Sequence, residues 1–244
     1  KSHTNPLIYL EELMRLLTTF LIALILATPL SAISVKMPKN HIVAGQERSA
    51  SFIIVNTSPS FKAVEVEVFS RKHTLRGEEK RTETEDFMII PPQLIIGPEQ
   101  ERVCTIQWMG DTKITTEIPY RIVVEEVPFN KERKDRKTKS DGAVTIRLKF
   151  VNSFYVKPRD SRPDIVAQSV SPSGNNMMVV LKNEGNEHLV VGKFNLKLTG
   201  DTSQDIDFQP NGGSHNILAG QSLEMLMPWP EKVPTGSYQG FFNR

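Results

Sequence analysis

The amino-acid sequence predicts an all-β protein built from two antiparallel β-sandwich domains of unequal size. Three observations favour this fold class. Segments with period-2 or β-branched character follow one another at short spacing. Turn residues, rather than amphipathic helices, separate these segments, and the chain contains 16 Pro and 14 Gly. A polar break with two prolines divides the segments into a longer and a shorter group.

The composition excludes several classes of protein. The chain has 244 residues, of which 39% are hydrophobic, enough for a core in each of two small domains. Its single Cys excludes a disulfide framework and a thiolate-rich zinc module. Because 30 Lys+Arg nearly balance 28 Asp+Glu, the net charge of +2 argues against a dedicated nucleic-acid binder.

The N-terminal segment has the order of a secretory signal. From Met14, a positive residue precedes an apolar run from Phe20 to Ala27, and a proline and small residues follow. We predict a signal peptide over residues 14–32 and a mature chain that begins near Ile33. Residues 1–13 show no pattern and are interpreted as an upstream non-native segment or a mis-set start. A transmembrane anchor is the disfavoured alternative, because the apolar run is shorter than the roughly 20 residues that span a bilayer.

The first group of strand-like segments predicts an N-terminal domain over residues 33–156. In one segment Cys104, Ile106 and Trp108 share a face, so Cys104 is predicted to be a buried apolar residue and not a reactive thiol. The segments are residues 49–56, 63–70, 100–108, 120–127 and 143–156.

The break over residues 157–163 (KPRDSRP) is predicted to be a linker, since proline cannot continue a central strand. The strand-like pattern then resumes and predicts a smaller C-terminal domain over residues 164–244. Its segments are residues 164–170, 176–182, 189–198, 221–227 and 236–242.

A basic stretch and a regular apolar alternation follow each other in the first domain. Residues 130–142 hold six Lys/Arg and no aromatic residue that could stack a base, which favours a solvated hairpin loop over a nucleic-acid surface. Val144, Ile146, Leu148 and Phe150 then alternate with polar residues. The residues alone favour a core-facing strand, but an exposed edge that needs a partner is the alternative.

Catalytic and metal-binding motifs are not found in the sequence. It contains no nucleophile elbow, no metalloprotease helix motif and no phosphate-binding glycine loop, and its five His have no ligand-like spacing. The neighbouring Glu125 and Glu126 point to opposite faces of a strand and are unsuited to paired acid–base chemistry. We therefore predict a protein without enzymatic activity, cofactor or metal. A site assembled from distant residues is the alternative.

Three stretches in order resemble one known family: ISVKMPKNHIVAGQERSASFIIVNTS from Ile33, DFMIIPPQLIIGPEQERVCTIQW from Asp86 and EIPYRIVVEEVP from Glu117. Together they make the chain similar to the periplasmic chaperones of pilus assembly. The resemblance implies two immunoglobulin-like β-sandwich domains at an angle, with a cleft that holds a pilus subunit. It also implies that the chaperone lends a strand to the subunit, which lacks its own final strand. Val144, Ile146, Leu148 and Phe150 match the donor positions.

The family also binds the subunit's C-terminal carboxylate with two cations in the cleft. This sequence departs from the commoner branch, because Ser153 stands where a lysine is expected and Val123 replaces an asparagine. These departures are similar to those of the divergent branch called archaic or alternative.

In the divergent branch the anchoring pair lies on neighbouring strands. The matching positions here are Arg121 and Lys149, and Arg121 is the stronger candidate. Lys39 is the reserve, with Lys36 in its place if the alignment shifts. A solvent-facing strand cation is the alternative for Arg121 and for Lys149.

The resemblance implies a periplasmic chaperone that delivers pilus subunits to an outer-membrane usher. Its partners would be the subunit and the usher, without nucleic acid and without membrane insertion after signal cleavage. Self-association that hides the donor strand is compatible with this role. The rival interpretations are a structural or adhesive component of a surface fibre, and an exported enzyme.

Overall fold

A computed structural model describes residues 14, 15, 18, 33–128, 147–199, 203–208, 214–229, 233, 234 and 238–243. In this part of the chain no helix has the length and apolar character needed to span a membrane. The strands are β1 (Ile33–Lys36), β2 (His41–Val43), β3 (Ser49–Asn56), β4 (Lys62–His73), β5 (Glu79–Glu83), β6 (Phe87–Ile90), β7 (Gln93–Ile96), β8 (Glu101–Trp108), β9 (Ile118–Val127), β10 (Lys149–Lys157), β11 (Ile165–Ser173), β12 (Asn176–Asn183), β13 (Leu189–Val191), β14 (Phe194–Thr199), β15 (Ser203–Phe208), β16 (His215–Ile217), β17 (Ser222–Pro228) and β18 (Gln239–Asn243).

The first ten strands form a two-layer sandwich. One sheet has the order β1-β3-β8-β6, and the other has the order β2-β10-β9-β4-β5, with β7 also paired to β4. Alternate residues of both sheets point inward, so that Phe52, Ile106, Ile122 and Phe154 are at most 1% exposed in a shared apolar core. The outward face of the second sheet therefore carries the polar residues of β4, β9 and β10.

The remaining strands surround a second, separate core. They form the sheets β11-β12-β17, β13-β16 and β15-β14-β18. Met177, Leu181, Leu196 and Ile217 are fully buried in this core. The described strands thus form two groups of sheets, each packed around its own core, which confirms the predicted fold class of two β-sandwich domains.

Most of the predicted strand segments are confirmed. β3 coincides with its predicted segment, and β9 and β12 each extend slightly beyond theirs. The segment predicted over residues 189–198 is two strands, β13 and β14, with the non-strand residues Gly192 and Lys193 between them. None of the predicted segments covers β1, β2, β5, β6, β7, β15 or β16. Cys104 is fully buried as predicted, and burial raises the pKa of its thiol to about 11.

Candidate functional site

Arginines from three strands surround one glutamate on the outer face of the second sheet. Phe69 of β4 lies opposite Arg121 of β9, and Arg71 follows two residues later on the same face. On the other side of β4, Arg81 lies opposite Arg71, and Glu79 lies opposite His73. Strand register thus brings together what we call the arginine cluster: Arg71, Glu79, Arg81 and Arg121.

The carboxylate of Glu79 accepts hydrogen bonds from two of these guanidinium groups. Arg121 Nη2 and Nε lie 2.5 and 2.9 Å from Glu79 Oε2, and Arg81 Nε lies 2.5 Å from Oε1. Burial alone would raise the pKa of Glu79, but the hydrogen bonds from Arg121 and Arg81 and the charges of Arg121 and Arg71 lower it to about 2. Glu79 is therefore ionised throughout the physiological range.

Arg71 is the least satisfied member of the arginine cluster. Its side chain is 8% exposed, and its Nε lies 2.8 Å from Glu79 Oε2. Neither Nε nor Nη1 makes a hydrogen bond of acceptable geometry. Burial, together with the neighbouring charge of Arg121, lowers the pKa of the Arg71 guanidinium. A buried guanidinium with unused donors favours an added anion, because each unpaired buried donor is costly.

The arginine cluster borders a pocket of about 310 Å³ between the two domains. The first domain contributes Arg71, Glu79 and Arg121, and the second contributes His215 and Asn216. The Asn216 amide donates to the hydroxyl of Tyr155 of β10 over 2.7 Å, a hydrogen bond that links the two domains beside the pocket. The three guanidinium groups and one carboxylate of the cluster give a net charge of about +2, which suits an anionic ligand.

The cations predicted from the sequence occupy three different places. Arg121 lies in the arginine cluster and also donates to the hydroxyl of Ser153 on β10. Lys149 lies on the same sheet face but is half exposed and pairs with Glu125 over 2.5 Å. It is four residues from Ser153 along β10, which corresponds to about 13 Å.

The reserve candidate, Lys39, pairs with Glu47 over 2.5 Å, and its hydrogen bond lowers the pKa of that carboxyl.

Arg71 was not among the residues predicted from the sequence. Its outward position follows Glu65 and Glu67 on β4, so the alternation alone indicated a solvent-facing charge. No local signal separates Arg71 from the other outward charges of β4, because its burial depends on the strands that pair on either side of it.

One edge of β10 is open over most of its length. β9 pairs with β10 from Lys149 to Val156, but on the opposite edge β2 pairs only from Tyr155 onward. Among the described strands, none covers that edge from Lys149 to Phe154. The open edge ends beside Ser153, which contacts Arg121, and so leads to the arginine cluster.

Two of the four predicted donor residues, Leu148 and Phe150, lie within the described structure. Phe150 is partly buried against the first core, and Leu148 continues the pairing with β9, since its carbonyl accepts from the Glu126 amide over 2.9 Å. Val144 and Ile146 lie outside the described residues, as does the basic stretch over residues 130–142.

A second charged group lies where the two domains meet. We call it the junction cluster: Glu117, Tyr155, Lys157, Glu187 and His188. His188 Nδ1 lies 2.8 and 2.9 Å from the carboxylate oxygens of Glu117, and its ring stacks on Tyr155 at 3.8 Å. Lys157 donates to Glu187. The fold thus places His188 within 4.8 Å of the carboxylate oxygens of Glu117 and Glu187, a proximity that sequence spacing does not show.

One family model matches the chain. Residues 38–160, half of the chain, match the family described as pili and flagellar-assembly chaperone, PapD N-terminal domain. Among curated protein sequences no significant match is found.

Solved structures match over most of the chain at low identity, and so show the fold alone. One is in the CsuC–CsuE chaperone–tip adhesion subunit pre-assembly complex of archaic chaperone-usher Csu pili from Acinetobacter baumannii (12% identity, 87% of this chain and 98% of that one, TM-score 0.60). Another is the class 5 fimbriae chaperone CfaA (11% identity, 87% and 98%, TM-score 0.58). A third is in the Salmonella enterica SafA pilin–SafB chaperone complex (13% identity, 89% and 98%, TM-score 0.54).

Proposed function

Because the chain belongs to the family of pili and flagellar-assembly chaperones, we propose that it completes the fold of a pilus subunit with its own strand and delivers that subunit to an outer-membrane usher. The observation that carries this proposal is the open edge of β10, which ends beside Ser153 and the arginine cluster. No catalytic step is needed for either task.

Strand lending accounts for the open edge of β10. From Lys149 to Phe154, the backbone N–H and C=O groups of alternate residues point away from β9 toward the open edge, and an added strand would satisfy them. The alternate apolar side chains of Val144, Ile146, Leu148 and Phe150 would fill the groove that the subunit leaves open. Main-chain hydrogen bonds would then provide the affinity for the subunit, and the fit of these side chains in its groove would set the register between the two strands.

The anchor for the subunit's C-terminal carboxylate is proposed to be Arg121 together with Arg71. A subunit strand paired along β10 would end near Ser153, within reach of both guanidinium groups. Charge-assisted bonds in this partly buried pocket are stronger than at the surface. Arg71 thus takes the place that the sequence-based prediction gave to Lys149, which lies about 13 Å along the strand.

The proposed compartment is the periplasm, reached through the signal predicted over residues 14–32. Release needs no nucleotide if the next subunit's extension replaces the lent strand in a more stable contact.

Co-expression with a pilus subunit tests the proposal. Replacing Leu148 with Asp places a charge among the donor positions and should abolish recovery of the subunit–chaperone complex. The matched control is Leu226→Asp, which changes an exposed leucine on β17 of the second domain and should leave recovery unchanged. Equal recovery of the subunit with the two variants would contradict strand lending, and appearance of the chain itself in sheared surface fibres would favour a fibre component.

A further inference from the structure

We propose that Glu79 competes with the subunit's C-terminal carboxylate: its side chain binds Arg71 and Arg121 in the subunit-free chaperone and is displaced from them when the subunit binds. This inference rests on the proposed function and adds a residue that sets how selective the anchor is. It follows from the contacts of Glu79, from its position on β5, and from the charge of the pocket.

The contacts show that Glu79 already uses the donors that a second carboxylate would need. Arg121 directs both Nη2 and Nε at Glu79, which is the paired geometry that a guanidinium offers to a carboxylate. Arg71 Nε faces the same oxygen, while its Nη1 remains without a hydrogen bond. Because Arg71 Nη1 is itself buried, an incoming carboxylate must displace Glu79 before it can take this donor or the two donors of Arg121.

The position of Glu79 allows its side chain to move without disturbing the core. β5 is the last strand of its sheet, and four of its five residues are exposed. The backbone beside it is fixed, because the carbonyl of Leu75 in the preceding turn accepts from the Glu224 amide of the second domain over 2.7 Å. Displacement of Glu79 is therefore a side-chain rotation toward solvent and toward Arg81.

The competition makes the anchor selective. A small anion makes no other contact with the chaperone that would help it to displace Glu79. A subunit that already pairs along β10, by contrast, presents its carboxylate to the arginines at a high effective concentration. Free anions are thereby disfavoured relative to a carboxylate that arrives with a strand. Without Glu79, the three guanidinium groups would bind any carboxylate more readily.

The test titrates N-acetylglycine, a probe that ends like a polypeptide chain, into the full-length chaperone and its Glu79→Gln variant. Guanidinium Nε–H signals of Arg71 and Arg121 in NMR spectra report binding. Glu79→Gln should bind N-acetylglycine at least about tenfold more tightly than the unmodified chain, because the internal rival is removed. N-acetylglycinamide, which has no carboxylate, should not shift these signals in either protein.

The control is Glu83→Gln, which removes a negative charge from the same face of β5 opposite Phe69 and should change binding less than twofold. If Glu79→Gln does not fold, Glu79→Asp carries the test: its shorter side chain should give a gain of at least twofold. A variant that binds N-acetylglycine no more tightly than the unmodified chain would overturn the inference, as would absence of binding to both proteins. The proposed function fails separately, if the subunit binds equally well as a C-terminal acid and as an amide.

Discussion

The arginine cluster and the junction cluster both lie between the two domains, yet their charges are arranged in opposite ways. In the arginine cluster three cations surround one carboxylate, and Arg71 keeps unused donors. In the junction cluster the two carboxylates are both satisfied: Glu117 accepts from His188, and Glu187 accepts from Lys157 and Ser161.

The difference indicates that the arginine cluster binds a ligand, whereas the junction cluster stabilises the arrangement of the two domains. A cluster with surplus charge and unmet hydrogen-bond donors is stabilised further by a ligand of opposite charge. A cluster whose groups are already paired gains nothing from a ligand, but its pairs hold the domains in one arrangement. We therefore expect changes in the arginine cluster to alter subunit binding, and changes in the junction cluster to alter stability.

The largest expected effect is on subunit affinity in Arg121→Gln. Loss of this guanidinium removes the paired donors of the anchor and should weaken subunit binding on the order of 100-fold or more, as truncation of a buried charge pair does. Glu79 keeps Arg81 as a hydrogen-bond partner and the charge of Arg71 nearby, so the free energy of unfolding should fall by no more than about 1–2 kcal/mol. Calorimetric titration and urea unfolding of the same preparation measure the two quantities. A large loss of stability with unchanged affinity would reverse the assignment.

Next in size is the stability effect of Glu117→Gln in the junction cluster. The Glu117 side chain is fully buried, and the variant replaces a charge-assisted hydrogen bond to His188 with a neutral one. We expect a loss of about 1.5–3 kcal/mol in urea unfolding. Glu187→Gln, at the more exposed carboxylate, is the matched control and should lose less. Subunit affinity should stay within about threefold for both variants. A selective loss of affinity in Glu117→Gln would show that the junction cluster also contributes to subunit binding.

A smaller effect concerns pH and Glu79. Because the folded-state pKa of about 2 lies below the ordinary value of 4.5, the stabilisation is complete above about pH 4.5 and is lost as the pH falls toward 2. The shift would correspond to about 3 kcal/mol, and screening of the partly exposed side chain reduces this to about 1–2 kcal/mol.

The measurement compares the unmodified chain with Glu79→Gln in unfolding experiments at several pH values. At pH 7 the variant should be less stable by that amount, and the difference should disappear between about pH 4.5 and pH 2. A difference that stays constant over this interval would show that Glu79 is not held ionised by the arginines.

The smallest expected effect is that of Lys149→Gln. The ammonium of Lys149 is half exposed and pairs with Glu125 at the surface, so its loss should cost less than about 0.5 kcal/mol of stability. If Arg71 and Arg121 form the anchor, subunit affinity should change less than about threefold. A loss as large as that of Arg121→Gln would restore the pair that the sequence predicted, Arg121 with Lys149.

The fold was predictable from the sequence where one face of a strand is buried. Alternation marked β3, β9 and β12, and it predicted the burial of Cys104. β5 was missed because it is an edge strand with mostly exposed residues and no apolar alternation.

The candidate site was less predictable, since it depends on register between distant strands. Arg121 was predicted because the family resemblance matches it to an anchor position, whereas Arg71 was one more outward charge on β4. The meeting of Arg71, Glu79 and Arg121 on one face is set by pairing across β4, which no local pattern encodes. The same holds for Glu117 and His188, which lie in different domains.

A double-mutant cycle between Arg121→Gln and a subunit whose C-terminal carboxylate is replaced by an amide tests directly whether the arginine cluster binds that carboxylate. If it does, the amide should weaken binding to the unmodified chaperone strongly and binding to Arg121→Gln hardly at all, with a coupling energy of about 2 kcal/mol or more. Equal weakening in both proteins, and hence a coupling energy near zero, would show that the arginine cluster does not bind the subunit's carboxylate.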